Sequence, residues 1–422
     1  MANVKLKFPK HFLWGASTSA HQVEGGNHNQ WSVWELENAR ALASAAPHKI
    51  GYLDNWNDIQ GQATEPSNYV SGLSADHFNR YEADFDLLES MHLNTFRFSI
   101  EWSRVEPKEG QFDSSAIQHY RDYIKSLKNR GIEPFVTLYH WTVPVWFDHK
   151  GGFERGGNIK YFVRFAEKII DELGPELKFV TTINEPDTVM GLGYITAEHP
   201  PQKRSPLLGA WVYLNLLRSH RRIYKLARSR SRRFKVGWTK SYAYVRPKHQ
   251  DWKSRLSVRL DYLVRDDLAL WFIGKKTDFI GVNYYFSDLR DRLKLVDHGT
   301  DTPRNDLGWE MLPDDLEAVL RRLGGKRPSI PLIVTESGVA DSQDKYRKWW
   351  LAHSLKAIDG AIRSGVRVDG YLHWSLLDNF EWAYGFWPRF GLVEVDYRTL
   401  ERSLRPSGKW YGQVVKQMRG DK

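Results

Sequence analysis

Short, nearly continuous apolar runs recur along this chain, separated by longer stretches in which apolar residues return every three or four positions. The runs cover residues 12–17, 95–100, 133–139, 179–185, 234–241, 278–285, 331–337 and 368–375. Between them, the spacing predicts helices over 75–91, 114–130, 159–173, 207–227, 314–323 and 346–364, each with one apolar face. Strand alternating with helix predicts a parallel sheet covered on both faces, and eight such units predict closure. The expected fold is α/β, a single (β/α)8 TIM barrel. No Pro/Gly/Ser-rich linker and no short repeat divides the chain, so residues 1–422 are expected to form one catalytic domain.

In such a barrel, functional groups gather where the C-terminal ends of the strands meet the following loops. Arg97, His140, Glu185, Tyr285, Glu336 and Trp374 all fall at or near those ends. Two of the runs finish in a glutamate, in Thr182-Ile183-Asn184-Glu185-Pro186 and Val334-Thr335-Glu336-Ser337-Gly338. Two carboxylates on neighbouring strand ends suit cleavage of a glycosidic bond, one protonating the leaving oxygen and one attacking the sugar. Taken singly, Glu185 reads equally as an ion-paired glutamate before a proline, and Glu336 as a surface glutamate before a loop glycine.

Composition narrows the classes. With 41% hydrophobic and 27% charged residues, the chain can bury a large core and is not disordered. No apolar span approaches twenty residues and no cleavable leader follows the N-terminal lysines, so a cytoplasmic protein without a membrane partner is expected. The absence of cysteine excludes disulfides, thiolate metal sites and a cysteine nucleophile. Gly25-Gly26 opens no phosphate-binding motif. His11, His21, His140 and His199 form no spaced metal set, so neither metal nor cofactor is expected.

The net charge is +10, and the run from Arg218 to Lys235 holds nine Lys or Arg and no acid. Leu217, Ile223, Tyr224 and Leu226 give that run a buried side, so it reads as a solvated helix face. A nucleic-acid partner is not expected, because no recognition motif accompanies it. Aromatic residues reach 14%, with 18 Trp. Flat indole faces match the C–H faces of sugar rings, although any one of Trp141, Trp374 and Trp382 would serve equally well as core.

Eight strings in order make the chain resemble glycoside hydrolase family 1, the retaining β-glycosidases. They are FLWGASTSAHQVEGG from Phe12, FRFSIEWSRVEP from Phe96, HW at His140, TINEP from Thr182, GVNYY from Gly281, VTESG from Val334, HWSLLDNFEWAYGF from His373 and FGLVEVDY from Phe390. The resemblance implies Glu185 as acid/base and Glu336 as nucleophile, with Arg97 and Tyr285 holding the Glu336 charge. It implies that Asn184 bonds the 2-hydroxyl and that Gln22, His140, Trp141, Asn283, Glu381, Trp382 and Phe390 bind the sugar over a Trp374 floor. Retention would require the two carboxyl groups to stand roughly 5–5.5 Å apart.

The expected substrate is a small β-glycoside or oligosaccharide with a terminal β-glucosyl residue. Glu381 suits glucose, galactose and fucose alike. A carboxylate there repels the phosphate of a 6-phospho-β-glycoside, so that alternative is the weaker one. A silent sugar-binding protein on the same fold would be expected to lose a glutamate, and this chain keeps both. Thr142, Ser337 and Tyr384 depart from the family's common residues. Residues 286–305 read as a trimmed loop that opens the aglycone side.

Overall fold

In the computed structural model, which describes residues 6–230 and 233–420, eight strands close into a barrel. They are β1 (Leu13–Ser17), β2 (Thr95–Ser99), β3 (Glu133–Thr137), β4 (Phe179–Asn184), β5 (Lys235–Pro247), β6 (Phe279–Asp291), β7 (Leu332–Ser337) and β8 (Val368–Trp374). Each pairs in parallel with the next, and β8 returns to β1 with Ser17 opposite Trp374. The expected TIM barrel is present, with helices between the strands.

Among those helices are α1 (Gln30–Ile50), α2 (His77–Ser90), α3 (Ser114–Asn129), α4 (Ile159–Leu173), α5 (Pro206–Arg230), α6 (Trp252–Tyr262), α7 (Leu268–Ile273), α8 (Leu316–Lys326), α9 (Arg347–Arg363) and α10 (Pro406–Arg419). Helix α4 shows the simplest logic, burying Ile159, Phe162, Phe165, Ala166, Ile169, Ile170 and Leu173 at helical spacing. Helices α1, α6, α7 and α10 were not predicted. Helix α1 starts at Asn29, whose side chain accepts from the Ser32 N–H while the Ser32 hydroxyl answers the Asn29 N–H. Its alanine-rich interior gives little amphipathic contrast, and Pro47 lies in its last turn. Helix α6 buries Ser254 and Ser257, so its hydrophobic face does not report burial at all.

The basic run lies mostly on α5, which buries Leu216, Leu217, Ile223 and Ala227. Arg230 pairs with Glu167 at 2.5 Å and Arg228 with Asp278 at 2.9 Å. Arg232, within the same run, lies outside the described residues.

Strands β5 and β6 outrun their predicted ends because they keep pairing above the rim, from Ala243 opposite Phe286 to Pro247 opposite Arg290. β6 then turns back against Lys294–Val296. Much of the stretch expected as a trimmed loop is therefore a β-hairpin. Pairing between two distant segments is invisible in either segment alone.

The inside of the barrel is plugged at one level by Phe135, Phe279, Ile333 and Leu372, with Leu13 and Phe179 against them. Side chains alternate along a strand, so the inward positions two residues later hold Ser17 above Gly15, then Thr137, Thr181, Gly281, Thr335 and Trp374. An apolar floor thus gives way to a polar layer. Gly281 is required there, since a Cβ would lie 2.1 Å from the Thr239 hydroxyl oxygen. Phe279→Ala is expected to cost about 3–5 kcal/mol, and Phe279→Leu less than half as much, because the plug cannot collapse within a closed barrel. Urea unfolding midpoints of the two variants check this.

Candidate active site

Strands β4 and β7 deliver Glu185 and Glu336 to the same end of the barrel. The β4 ladder slips against β5 between Thr181 and Asn184, and Glu185 follows with left-handed backbone, φ 44° and ψ 64°. A non-glycine residue keeps such a conformation only where its surroundings impose it. Here the Glu185 N–H donates to the Thr239 carbonyl at 2.9 Å. Trp141 and Trp382 share this geometry, with φ of 74° and 51°.

Arg97, fully buried on β2, donates to Glu336 Oε1 at 2.5 Å, to Asn184 Oδ1 at 2.7 Å and to the Thr137 hydroxyl at 3.1 Å. Tyr285 donates its hydroxyl to Glu336 Oε2 at 2.9 Å. Burial pushes the Glu336 carboxyl up, and the Arg97 charge with hydrogen bonds from Arg97, Tyr285 and Asn283 opposes it. Burial also holds the Tyr285 phenol well above its ordinary value, so it remains a donor.

Glu185 has no arginine of its own. Burial, then the negative charges of Glu336 and Asp187, push it up to about 8, against hydrogen bonds from Asn283 and Thr188. Those bonds are 2.7 Å from Asn283 Nδ2 to Oε1 and 2.8 Å from the Thr188 hydroxyl to Oε2. Asp187 in turn meets the buried Lys240 at 3.0 Å, and Lys240 also meets Asp266 at 3.0 Å.

Two amides tie the carboxyl groups together. Asn283 donates to both Glu185 and Asn184 Oδ1, the latter at 3.2 Å, while its own Oδ1 accepts from the Thr335 hydroxyl at 2.8 Å. With its oxygen taken by Arg97 and Asn283, Asn184 turns its Nδ2 toward His140 Nε2 at 3.2 Å. Burial and the Arg97 charge hold His140 well below its ordinary pKa, so the ring is neutral. Nε2 then accepts, and Nδ1, which has no protein partner, carries the proton.

At the other side of the cavity Glu381 Oε2 accepts from Asn379 at 2.9 Å and from Gln22 at 3.3 Å. Burial, with the Glu336 charge adding to it, pushes Glu381 up to about 7. The His140 ring lies nearly parallel to Trp374, centroids 5.8 Å apart, and to Trp382 at 6.2 Å.

Gln22, His140, Trp141, Glu185, Tyr285, Glu336, Trp374, Glu381, Trp382 and Phe390 line one cavity of about 790 Å³. Arg97, Asn184 and Asn283 are buried one layer beneath it, where their hydrogen bonds go to the carboxylates and to one another. Thr188, Asp187 and Lys240 were not foreseen. Thr188 stands three residues after Glu185 in a helix-opening turn, a spacing that brings side chains together and could have marked it; Lys240 carries no such local sign.

The unusual residues are accommodated. The Thr142 hydroxyl donates to Glu101 at 2.8 Å, Ser337 Oγ accepts from the Trp350 indole at 3.0 Å, and Tyr384 joins the cavity wall. Among the described residues, no group of three or more His, Asp or Glu is arranged to hold a metal ion. What the arrangement offers chemically is one carboxyl poised to stay protonated near neutrality beside one held against a guanidinium.

The profile of the family described as Glycosyl hydrolase family 1 matches residues 4–260 and 263–419. Beta-glucosidase A of Thermotoga maritima is 30% identical, over 98% of this chain and 98% of that protein. A solved beta-glucosidase from Thermotoga maritima in complex with glucoimidazole superposes with a TM-score of 0.84 at 28% identity, covering 98% of this chain and 99% of that one. The beta-glycosidase from Pyrococcus horikoshii gives 0.85 at 34% identity, covering 98% and 96%. With both glutamates on one cavity of a closed barrel and the family profile spanning nearly the whole length, the chain belongs to glycosyl hydrolase family 1 and is a hydrolase of O-glycosyl bonds.

Proposed function

We propose that the protein is a retaining β-glycosidase that releases terminal, non-reducing β-D-glucosyl residues, with β-D-galactosyl and β-D-fucosyl as further substrates. The observation that carries this reading is the unequal treatment of two carboxyl groups on one cavity: Glu336 faces Arg97, and Glu185 faces other acids. Glu185 gives its proton to the aglycone oxygen as the C1–O bond breaks, and the Glu336 carboxylate bonds to C1. Once Glu336 is an ester its charge is gone, so one of the causes holding the Glu185 proton weakens. Glu185 then takes a proton from water, whose oxygen replaces Glu336 at C1.

Arg97 and Tyr285 keep Glu336 ionised and aimed, and Asn283 fixes the acid/base on the opposite side. Asn184, its amide oriented by Arg97, presents N–H toward the 2-hydroxyl, a bond that strengthens as positive charge grows on the ring. The unpartnered Nδ1–H of His140 and the Gln22–Glu381–Asn379 group supply donors and acceptors for the remaining hydroxyls, with Trp374 beneath the ring. A sugar phosphate finds no cation at this end. Among the described lining residues Arg265 alone is basic, and it is paired with Asp288 at 2.5 Å.

Glu336→Ala is expected to lower kcat/KM for nitrophenyl β-glucoside at least about 10³-fold, with azide restoring turnover as the inverted α-glucosyl azide. Recovery of a β-azide, or no effect of the substitution, would sink the assignment. Glu185 works in its protonated form, so kcat/KM should hold below about pH 8 and fall above it. Glu336 works ionised, so its protonation sets the acid limb. Thr188→Val removes a hydrogen bond to the charged form of Glu185, raises its pKa and moves the alkaline limb up by about half to one pH unit. A pH–rate profile reads all three. Nitrophenyl 6-phospho-β-glucoside should be turned over at least about 100-fold more slowly than the neutral glucoside, for want of a cation to receive the phosphate.

A further inference from the structure

One charge near Glu185 belongs neither to the sugar-binding group nor to the nucleophile. Asp187 lies in the short helical turn Pro186–Met190, two residues on from the acid/base. Its Oδ2 meets Lys240 Nζ at 3.0 Å, while its Oδ1 is buried without a hydrogen-bond partner among the described residues. Lys240 is only 1% exposed and is placed by β5. The neighbouring Thr239 reaches into the barrel toward Gly281, so Lys240 turns outward to the helical layer. There the π-helical turn Leu263–Asp267 between α6 and α7 presents Asp266, whose Oδ1 stands 3.0 Å from the ammonium. The Ser241 carbonyl accepts at 2.6 Å. An ammonium has three N–H donors, and all three are engaged here, so the charge is held in one place.

The ions continue in alternating sign. Asp266 Oδ2 accepts from Arg322 at 2.8 Å, Arg322 donates to Asp267 at 2.6 Å, and Asp267 accepts from Lys326 at 2.8 Å. Lys240, Asp266, Arg322 and Asp267 each stand between two opposite charges. Asp187 ends the row with one. Its charge is the least compensated of the row, and it lies beside Glu185, away from the screening that a surface ion receives. After burial and the Glu336 charge, it is among the causes that push the Glu185 carboxyl up. A buried ion pair is a weak source of net stability, so packing alone gives little reason for a lysine at this position.

We propose that Asp187 and Lys240 are an opposed pair of positioning residues that set the upper pH limit of catalysis, Asp187 helping to hold the proton on Glu185 and Lys240 limiting how strongly it does so. This rests on the assignment of Glu185 as acid/base above and adds what tunes it. The other titratable groups facing Glu185 are Glu336 on β7, Tyr285 on β6, His140 after β3 and Glu381 after β8, all on the cavity of the sugar site. Arg97 on β2 is committed to Glu336 and Asn184. Around the ion pair stand Asp266 and Arg265 of the π-helical turn, Tyr242 of β5 and Tyr213 of α5. Burial pulls Lys240 down, but the two acids more than offset it against Arg265, so its net shift is upward and it keeps its charge through the alkaline limb. Burial holds the Tyr213 and Tyr242 phenols well above their ordinary value, so neither titrates there.

The test is the pH–rate profile of the full-length protein with nitrophenyl β-glucoside, with kcat and KM read separately. Asp187→Asn removes a negative charge and should move the alkaline limb down by about half to one pH unit. Lys240→Met leaves the Asp187 charge less opposed and should move the limb up by about the same amount. The double substitution should return it to within about 0.3 unit of the wild type, and Lys240→Arg, which keeps the charge, should hold it there. Should Lys240→Met fail to fold, Asp187→Asn carries the test, since that side chain is 20% exposed and its loss buries no new charge. Carbon-13 NMR titration of the Glu185 carboxyl in labelled protein reads the same shifts without turnover.

A purely structural role would loosen the site in either variant and shift both limbs the same way. Limbs that move together, or stay in place in folded variants, overturn the proposal and leave the glycosidase standing. So does a rise in KM of Asp187→Asn that varies with the leaving group while the limb stays put, which assigns Asp187 to contact with substrate. Failure of the wild-type protein to turn over nitrophenyl β-glucoside fails the glycosidase reading itself, and this proposal with it.

Discussion

The contact between Arg97 and Glu336 sets the terms for everything around it. Both side chains are buried, where an unpaired carboxylate would take up a proton rather than remain charged. The guanidinium is itself anchored by Asn184 and Thr137, so it cannot follow the carboxylate if the carboxylate moves. Negative charge at Glu336 is, after burial, one of the causes that push the Glu185 carboxyl up. Burial pushes both carboxyl groups up, and the one buried guanidinium opposes it at Glu336 only.

The barrel makes this asymmetry affordable to the fold. A plug of Phe135, Phe279, Ile333 and Leu372 fills the interior below, and the polar layer begins two residues further along the strands that carry them. Six of the eight strands contribute to the plug, so the charged groups rest on a closed hydrogen-bonded wall rather than on loops. Slips in the ladder near Asn184 and Asn283 re-aim side chains at the rim, as bulges do. The left-handed backbone at Trp141, Glu185 and Trp382 is then held by contacts from several elements at once.

The tryptophans show how little residue type says about place. Trp102, Trp238 and Trp350 are fully buried, Trp141, Trp374 and Trp382 face the cavity, and Trp252 and Trp271 are exposed on α6 and α7. All carry the same indole. Their surroundings divide them into core, cavity wall and surface, and those surroundings come from strands and helices far away in the chain.

What the sequence determined by itself was the alternation of eight strands with helices, and with it the barrel, because the two periodicities are local properties of short segments. It also brought Glu185, Glu336, Arg97, Tyr285, His140 and Trp374 to or near the expected strand ends, since a closed parallel barrel sends every such end to one rim; Arg97 and Tyr285 lie within β2 and β6. Tertiary structure decided the rest. The pairing of β5 with β6 beyond the rim, the burial of Lys240 between Asp187 and Asp266, and the outward turn of Leu256 and Leu260 each depend on groups distant in sequence. The upward shift of the Glu185 carboxyl belongs to that class as well. A carboxyl group's charge state follows from its burial and from the charges beside it, and neither exists until the barrel has closed.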